Sequence, residues 1–158
     1  MLPRVGVPLI GERYRGVEGH SGYLLKQAWH EFRLALEAVV RAHELTSAQY
    51  AALSVLARDE PLSGADLARA CNISPQAMNG VIGGMERDGL VERRPHPTHG
   101  RILEVVTSDE GRRRLEASTP EVRKLEAAIE KGFDQEQVSA VKEFLVTAAQ
   151  RSVASRGR

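Results

Sequence analysis

From Ser21 to Glu44 apolar positions recur at steps of three and four: Leu25, Ala28, Trp29, Phe32, Leu36, Val39 and Val40, with His43 on the same line. That spacing predicts one face of an amphipathic helix about six turns long. A lone small domain does not need such a helix, so its stripe is expected to serve a core and a partner together. Thr46 with Gln49 three residues on is a capping-box signature, and the helix it opens carries Tyr50, Leu53 and Leu56 on one side until Asp59, Glu60 and Pro61 end it. Ser63 with Asp66 repeats the signature and opens a short helix through Leu67 and Ala70 to about Cys71. The next start is sharper, with Ser74 as N-cap and Pro75 at the first helical position, where its missing N–H costs nothing. Met78, Ile82 and Met85 then share a face, flanked by Ala77 and Val81, and Gly89 suits a left-handed stop.

Beyond Gly89 the period changes. Leu90 to Arg94 and Arg101 to Thr107 are short runs rich in branched residues, separated by Pro95-His96-Pro97-Thr98-His99-Gly100, which predicts a hairpin with a stiff, protruding tip. Thr107 with Glu110 is read as another capping box before a helical stretch to about Lys131, in which Pro120 either kinks the helix or restarts it. Gly132 ends that stretch, and Asp134 with Gln137 opens a last helix through Val138, Val141, Phe144, Leu145 and Ala148. Residues 1–20, with four glycines and two prolines and no sustained period, are expected as a flexible arm. The expected division is therefore an arm at 1–20, a long helix at 21–45, a compact lobe at 46–107, C-terminal helices at 108–152 and a tail at 153–158. The fold class is mainly α, with one two-stranded hairpin.

Composition narrows the class further. In 158 residues, 42% hydrophobic and 27% charged, the balance is that of a globular chain and argues against a disordered tail protein or a collagen-like repeat. No window approaches the roughly 20 apolar residues of a membrane helix. Pro3, Arg4, Gly6 and Pro8 interrupt the first residues too often for the apolar core of a secretory signal. The single cysteine, Cys71, excludes an internal disulfide framework and fits a reducing cytoplasm; at the end of an apolar helix it reads as a buried, inert thiol ahead of a redox sensor.

Two helices joined by Asn72 and Ile73 match a helix-turn-helix, and a hairpin directly after them makes it a winged helix, whose second helix is sized for the major groove. Net charge is only +1, so distribution has to decide: between Leu90 and Arg101 three arginines stand against one glutamate, with His96 and His99 in addition, and Arg112 to Arg114 follow. With the apolar stripe of the second helix facing the core, Gln76, Asn79, Gly80 and Gly83 face outward. Gln76 and Asn79 can pair with adenine N6 and N7, against the plainer reading of solvent exposure. Ser74 and Pro75 place a helix N-terminus where a phosphate would sit, Ser63 repeats that geometry one helix earlier, and both serines also read simply as caps. Arg93, Arg94, His99 and Arg101 supply charge around the tip, with Arg101 the first choice for a narrow minor groove. No Ser, Cys or His constellation, phosphate-cradling loop or His-Glu-x-x-His points to an enzyme, and no cofactor is expected. His96 and His99, three apart without a neighbouring acid or cysteine, make a weak metal pair, so no metal is expected. The strongest rival is a dimeric winged-helix protein-interaction module without sequence-specific DNA binding.

Ser74 to Gly80, Glu86 to Val91, Arg93 to Arg101 and Thr107 to Gly111 together resemble the MarR (multiple antibiotic resistance regulator) family of bacterial transcription factors, over about Gly22 to Ala149. The resemblance implies a cytoplasmic homodimer whose first and last two helices interleave, which makes 21–45 a dimerisation helix, 108–152 C-terminal dimerisation helices, and 46–107 a winged helix-turn-helix DNA-binding lobe with a two-stranded wing. It also implies two winged lobes reading a pseudo-palindromic DNA site, repression, and release by a small aromatic or phenolic ligand bound between lobe and dimer region. The candidate lining of such an effector pocket is Trp29, His30, Arg33 and Tyr50. Trp29 and Tyr50 read first as core residues and Arg33 as an exposed or interface charge that could hold a ligand carboxylate. The family wing often carries Asp-x-Arg, the acid holding the arginine. Here the triplet is His99-Gly100-Arg101, so Arg101 must be oriented from elsewhere.

Overall fold

After the first α-helix, whose N-cap His20 makes no capping side-chain bond, helix starts fall where short polar side chains take up orphan N–H groups. The computed structural model describes residues 6–98 and 102–156. After a 3-10 turn at Arg13–Arg15 come helices α1 (Ser21–Arg41) and α2 (Ser47–Asp59), strand β1 (Leu62–Ser63), and helices α3 (Gly64–Ala70) and α4 (Pro75–Arg87). Strands β2 (Val91–Pro95) and β3 (Leu103–Thr107) precede helices α5 (Asp109–Glu130) and α6 (Gln135–Arg156). Two compact units divide after Val122. The capping box at α2 is complete: Thr46 Oγ1 accepts from the Gln49 N–H at 3.2 Å, and the Thr46 N–H donates to Gln49 Oε1 at 2.8 Å. Gln49 is buried and uses its remaining amide as well, donating from Nε2 to Asp88 Oδ2 at 2.9 Å, just past the end of α4. At α6 the reciprocal bonds join Asp134 and Gln137 at 2.8 and 2.9 Å.

The first unit is built on one apolar centre. Leu53 and Leu56 of α2, Leu67 of α3, and Met78, Ile82 and Met85 of α4 close on Leu90 and on Val105 of β3, all essentially without solvent contact. Each such side chain contributes about 1.5 to 3 kcal/mol by leaving water. The sheet has three antiparallel strands in the order β1-β3-β2, where the sequence predicts two. β1 contributes two residues, Leu62 opposite Val105 and Ser63 opposite Glu104, too few for an alternating pattern to announce. It occupies the edge of β3 that the hairpin leaves unpaired.

Three further differences have local causes. The cap of α5 is Ser108, not Thr107: Ser108 Oγ accepts from the Gly111 N–H at 3.0 Å and donates to the Gly89 carbonyl at 2.6 Å. Thr107 stays in β3, opposite Val91, with its side chain buried. At Pro120 the helix neither breaks nor restarts. The Ser118 and Thr119 hydroxyls turn back onto carbonyls of the preceding turn, Ser118 onto Arg114 at 2.9 Å and Thr119 onto Leu115 at 2.7 Å. Finally, the segment read as an arm makes specific bonds to α1. The Arg15 guanidinium donates to the Pro8 carbonyl at 3.0 Å and to Gln27 Oε1 at 2.9 Å, Gln27 returns a bond to the Arg15 carbonyl at 3.1 Å, and the Tyr14 and Tyr23 rings meet edge to face.

The start of α5 is tied to the turn after α1. Arg114 donates to Glu110 at 2.6 Å and to the Glu44 carbonyl at 3.0 Å. Hydrogen bonds from Arg113 and Arg114 pull the Glu110 carboxyl down to about 2, so the network keeps its charge until pH falls well below the ordinary carboxylate range.

Candidate nucleic-acid interface

The turn between α3 and α4 closes by backbone chemistry. Asn72 sits at φ +54°, a left-handed conformation that asparagine tolerates better than most residues. The Asn72 N–H donates to the Arg69 carbonyl and the Ile73 N–H to the Ala68 carbonyl, both at 3.1 Å, satisfying two carbonyls that α3 would otherwise leave open. Two residues later Ser74 Oγ accepts from the Ala77 N–H at 3.1 Å and Pro75 begins α4, so the direction of α4 is fixed at its first turn. At its far end Gly89, at φ +68°, lets the Leu90 N–H reach the Met85 carbonyl at 2.8 Å.

With Met78, Ile82 and Met85 inside, α4 turns Gln76, Asn79 and Gly80 to solvent, and Ser74 and Pro75 are exposed at its N-terminus. A Cβ added at Gly80 would meet nothing within 4 Å, so packing among the described residues does not require glycine there. Ser63 is more occupied: its hydroxyl donates to an Asp66 carboxylate oxygen at 2.6 Å and accepts from the Asp66 N–H at 3.1 Å. That bond, with Arg69 beside it, holds the Asp66 carboxyl below its usual range.

In the wing, Arg93 lies opposite Val105, and Arg94 opposite Glu104. Successive residues of a strand face opposite ways, so the two arginines serve different faces. Arg93 reaches α4, its Nε 3.1 Å from Glu86 Oε2. Arg94 pairs with Glu92 of its own strand at 3.0 Å. Asn79 and Arg93 border a hollow of about 270 Å³ together with Gly64, Pro75, Ile82 and Val105, so one exposed polar residue of α4 and one wing arginine are brought to the same place. Near the tip, His96 faces Glu104 at 3.5 Å, and its Nδ1 accepts from the Thr98 N–H at 3.2 Å. His99 and Arg101 lie outside the described residues.

The effector candidates stand apart from this surface. Trp29, read first as a core residue, is 61% exposed on α1, its ring 6.2 Å from that of Phe32, because the stripe of α1 carries more apolar surface than α2 covers. His30 and Arg33 are exposed beside it, and Tyr50 of α2 is half-buried. Cys71 is partly buried, and desolvation pushes its thiol up, away from thiolate chemistry. Glu86 escaped sequence reasoning. An acid on a helix and an arginine beyond a turn carry no shared period, and only the folding of the hairpin back beside α4 brings the pair together. Among the described residues no group of three or more His, Cys, Asp or Glu is placed to hold a metal ion, and no helix is long and apolar enough to cross a membrane.

Residues 43–102 match the model of the MarR family. The HTH-type transcriptional repressor Rv2887 of Mycobacterium tuberculosis is 32% identical over 108 residues, 68% of this chain and 78% of the relative. The HTH-type transcriptional repressor YetL of Bacillus subtilis is 34% identical over 87 residues, 54% of this chain and 52% of the relative, so the chain spans about half the length of YetL. The fold is that of the transcriptional repressor CouR, solved on a 23-mer DNA duplex, with a TM-score of 0.78 and 22% identity over 90% of this chain and 99% of that one. Given this winged helix-turn-helix, the matched lobe and the coverage of Rv2887, the chain belongs to the MarR family and is a DNA-binding transcriptional regulator.

Proposed function

We propose that the chain represses transcription in the cytoplasm by seating a homodimer on a pseudo-palindromic operator. The observation that carries this reading is the division of α4 into a buried stripe, Met78, Ile82 and Met85, and an exposed side, Gln76, Asn79 and Gly80. Gln76 and Asn79 read adenine edges in the major groove, Gly80 admits close approach of the duplex, and Ser74 with Pro75 presents the first-turn N–H groups to a phosphate. Ser63 supports the lobe as a cap beside the backbone. Arg93, Arg94, His99 and Arg101 carry the wing's charge to the neighbouring groove. Large apolar side chains left open in the single chain, among them Trp29 and Leu34 on α1 and Val141, Phe144 and Leu145 on α6, support pairing of two copies.

Asn79→Ala is expected to relax discrimination at one base position by about 1 to 3 kcal/mol while leaving other positions alone. Titration of duplexes with half-site centres about 10 base pairs apart, matched and altered at single positions, measures this. Equal preference in both proteins would remove Asn79 from the readers. Failure of the wild type to prefer any duplex would leave the protein-interaction reading in place.

Release is assigned to a small aromatic or phenolic acid held near Trp29, His30, Arg33 and Tyr50, with the Arg33 guanidinium on its carboxylate. Such a ligand at about 100 times its Kd would add about 2.7 kcal/mol to stability. A thermal-shift screen of aromatic acids, followed by displacement from DNA, is expected to yield a compound active in both. A set without a stabilising member counts against the pocket.

A further inference from the structure

The geometry points to Glu86 as a positioning residue for the wing: through Arg93 it fixes the angle between the hairpin and α4, and so keeps groove entry by the wing in register with base reading by the helix. The inference rests on the DNA-binding reading above and assigns a role to a residue that reading leaves unused.

The joint to be held is short and its lever is long. Between the end of α4 at Arg87 and the start of β2 at Val91, the backbone bonds of Gly89 and Leu90 fix the root of the wing on the α4 side. From Leu90 to Pro95 the strand extends about 17 Å, so a swing of about 10° at the root displaces the tip by about 3 Å. Packing of Val91 and Val105 into the core holds the base of the wing, and beside it a hollow of about 270 Å³ lies between Asn79 on α4 and Arg93, Leu103 and Val105 of the hairpin. Next to that hollow the Glu86–Arg93 pair at 3.1 Å joins the two elements. Among the described residues the wing's other ion pairs are internal to it, Arg94 with Glu92 along β2 and His96 with Glu104 across the hairpin, while β1 pairs the edge of β3 away from β2, at Val105 and Glu104. The pairing also accounts for an acid on a surface that meets phosphates, where an unpaired carboxylate would only repel. Each partner is about one-third exposed, so the pair adds little to stability, and its effect is on geometry.

This assignment and simple electrostatics predict opposite signs. Removing a carboxylate that merely repels phosphates raises affinity for every duplex, whereas removing a brace lowers affinity for the right duplex in particular. The probes are a duplex selected from a random-sequence library by the wild-type protein and poly(dI-dC) as non-specific DNA. Glu86→Gln is expected to keep its helical content and melting temperature, and to lose about tenfold in the ratio of selected-duplex to poly(dI-dC) affinity. Glu86→Asp retains the negative charge but shortens the reach to Arg93. It is expected to lose the same ratio, where a carboxylate that only repels phosphates would change nothing, and it decides the matter should Glu86→Gln fail to fold. Equal or higher selected-duplex affinity in Glu86→Gln, or an unchanged ratio in Glu86→Asp, overturns the assignment while the DNA-binding reading stands. A wild-type protein that selects no duplex overturns both.

Discussion

Gly111→Ala is expected to destabilise the first unit by about 3 kcal/mol, although alanine at a helical position ordinarily gains about 1 kcal/mol over glycine. Gly111 lies in the first turn of α5, where that turn presses on the joint between α4 and the wing. A Cβ there would stand 2.1 Å from the Leu90 carbonyl oxygen and 2.9 Å from Thr107 Cγ2. The Leu90 carbonyl cannot simply move aside, because it accepts the Ser108 N–H at 3.0 Å while the Ser108 hydroxyl holds the adjacent Gly89 carbonyl at 2.6 Å. Relief therefore means lifting α5 off the lobe or breaking both bonds, and overpacking of a backbone contact outweighs helix propensity. Urea denaturation measures the difference. A midpoint at or above the wild-type value would show that the joint yields freely, and would remove Gly111 from the residues that dock α5.

The second large effect concerns pairing. Phe144→Asp combined with Leu145→Asp is expected to leave a folded but monomeric chain that binds its operator about 100 to 10,000 times more weakly. Val141, Phe144 and Leu145 are each about half exposed in the single chain and fall on neighbouring positions of α6, so their substitution removes no buried contact within the protomer. What it removes is apolar surface that a second copy would cover. Two linked lobes bind a two-part site with the second contact made effectively intramolecular, and separation of the protomers forfeits that gain without altering either lobe. Sedimentation with operator titration tests both halves of the expectation. A doubly substituted chain that stays dimeric would move the pairing surface elsewhere.

Much of the lobe was legible because local chemistry and periodicity agree there. Ser74, Pro75 and the stripe Met78-Ile82-Met85 specify α4 from five side chains, and the capping partners Thr46 with Gln49 and Asp134 with Gln137 behave as their spacing predicts. Features that depend on distant segments were not legible. β1 is two residues long and exists because β3 offers an open edge; its signal is a vacancy elsewhere in the chain. The choice of Ser108 over Thr107 as a cap depends on the inward side of the pleat, which holds Thr107 in the strand. The bonds of Arg15 to Pro8 and Gln27 lie in a stretch whose glycines suggest looseness, since a guanidinium seeking carbonyls leaves no trace in hydrophobic period. At the site, the exposed side of α4 could be read in advance, while the Glu86–Arg93 pair required the packing of the hairpin beside the helix.

The amide of Gln49 has one consequence for how the lobe opens. Its oxygen and nitrogen serve opposite clients, the first turn of α2 and the aspartate that closes α4, so neither helix terminus can fray without loosening a bond that steadies the other. Two ends nearly forty positions apart in the chain thereby share a single latch. Fraying of α4 at its wing end is expected to loosen the first turn of α2 as well.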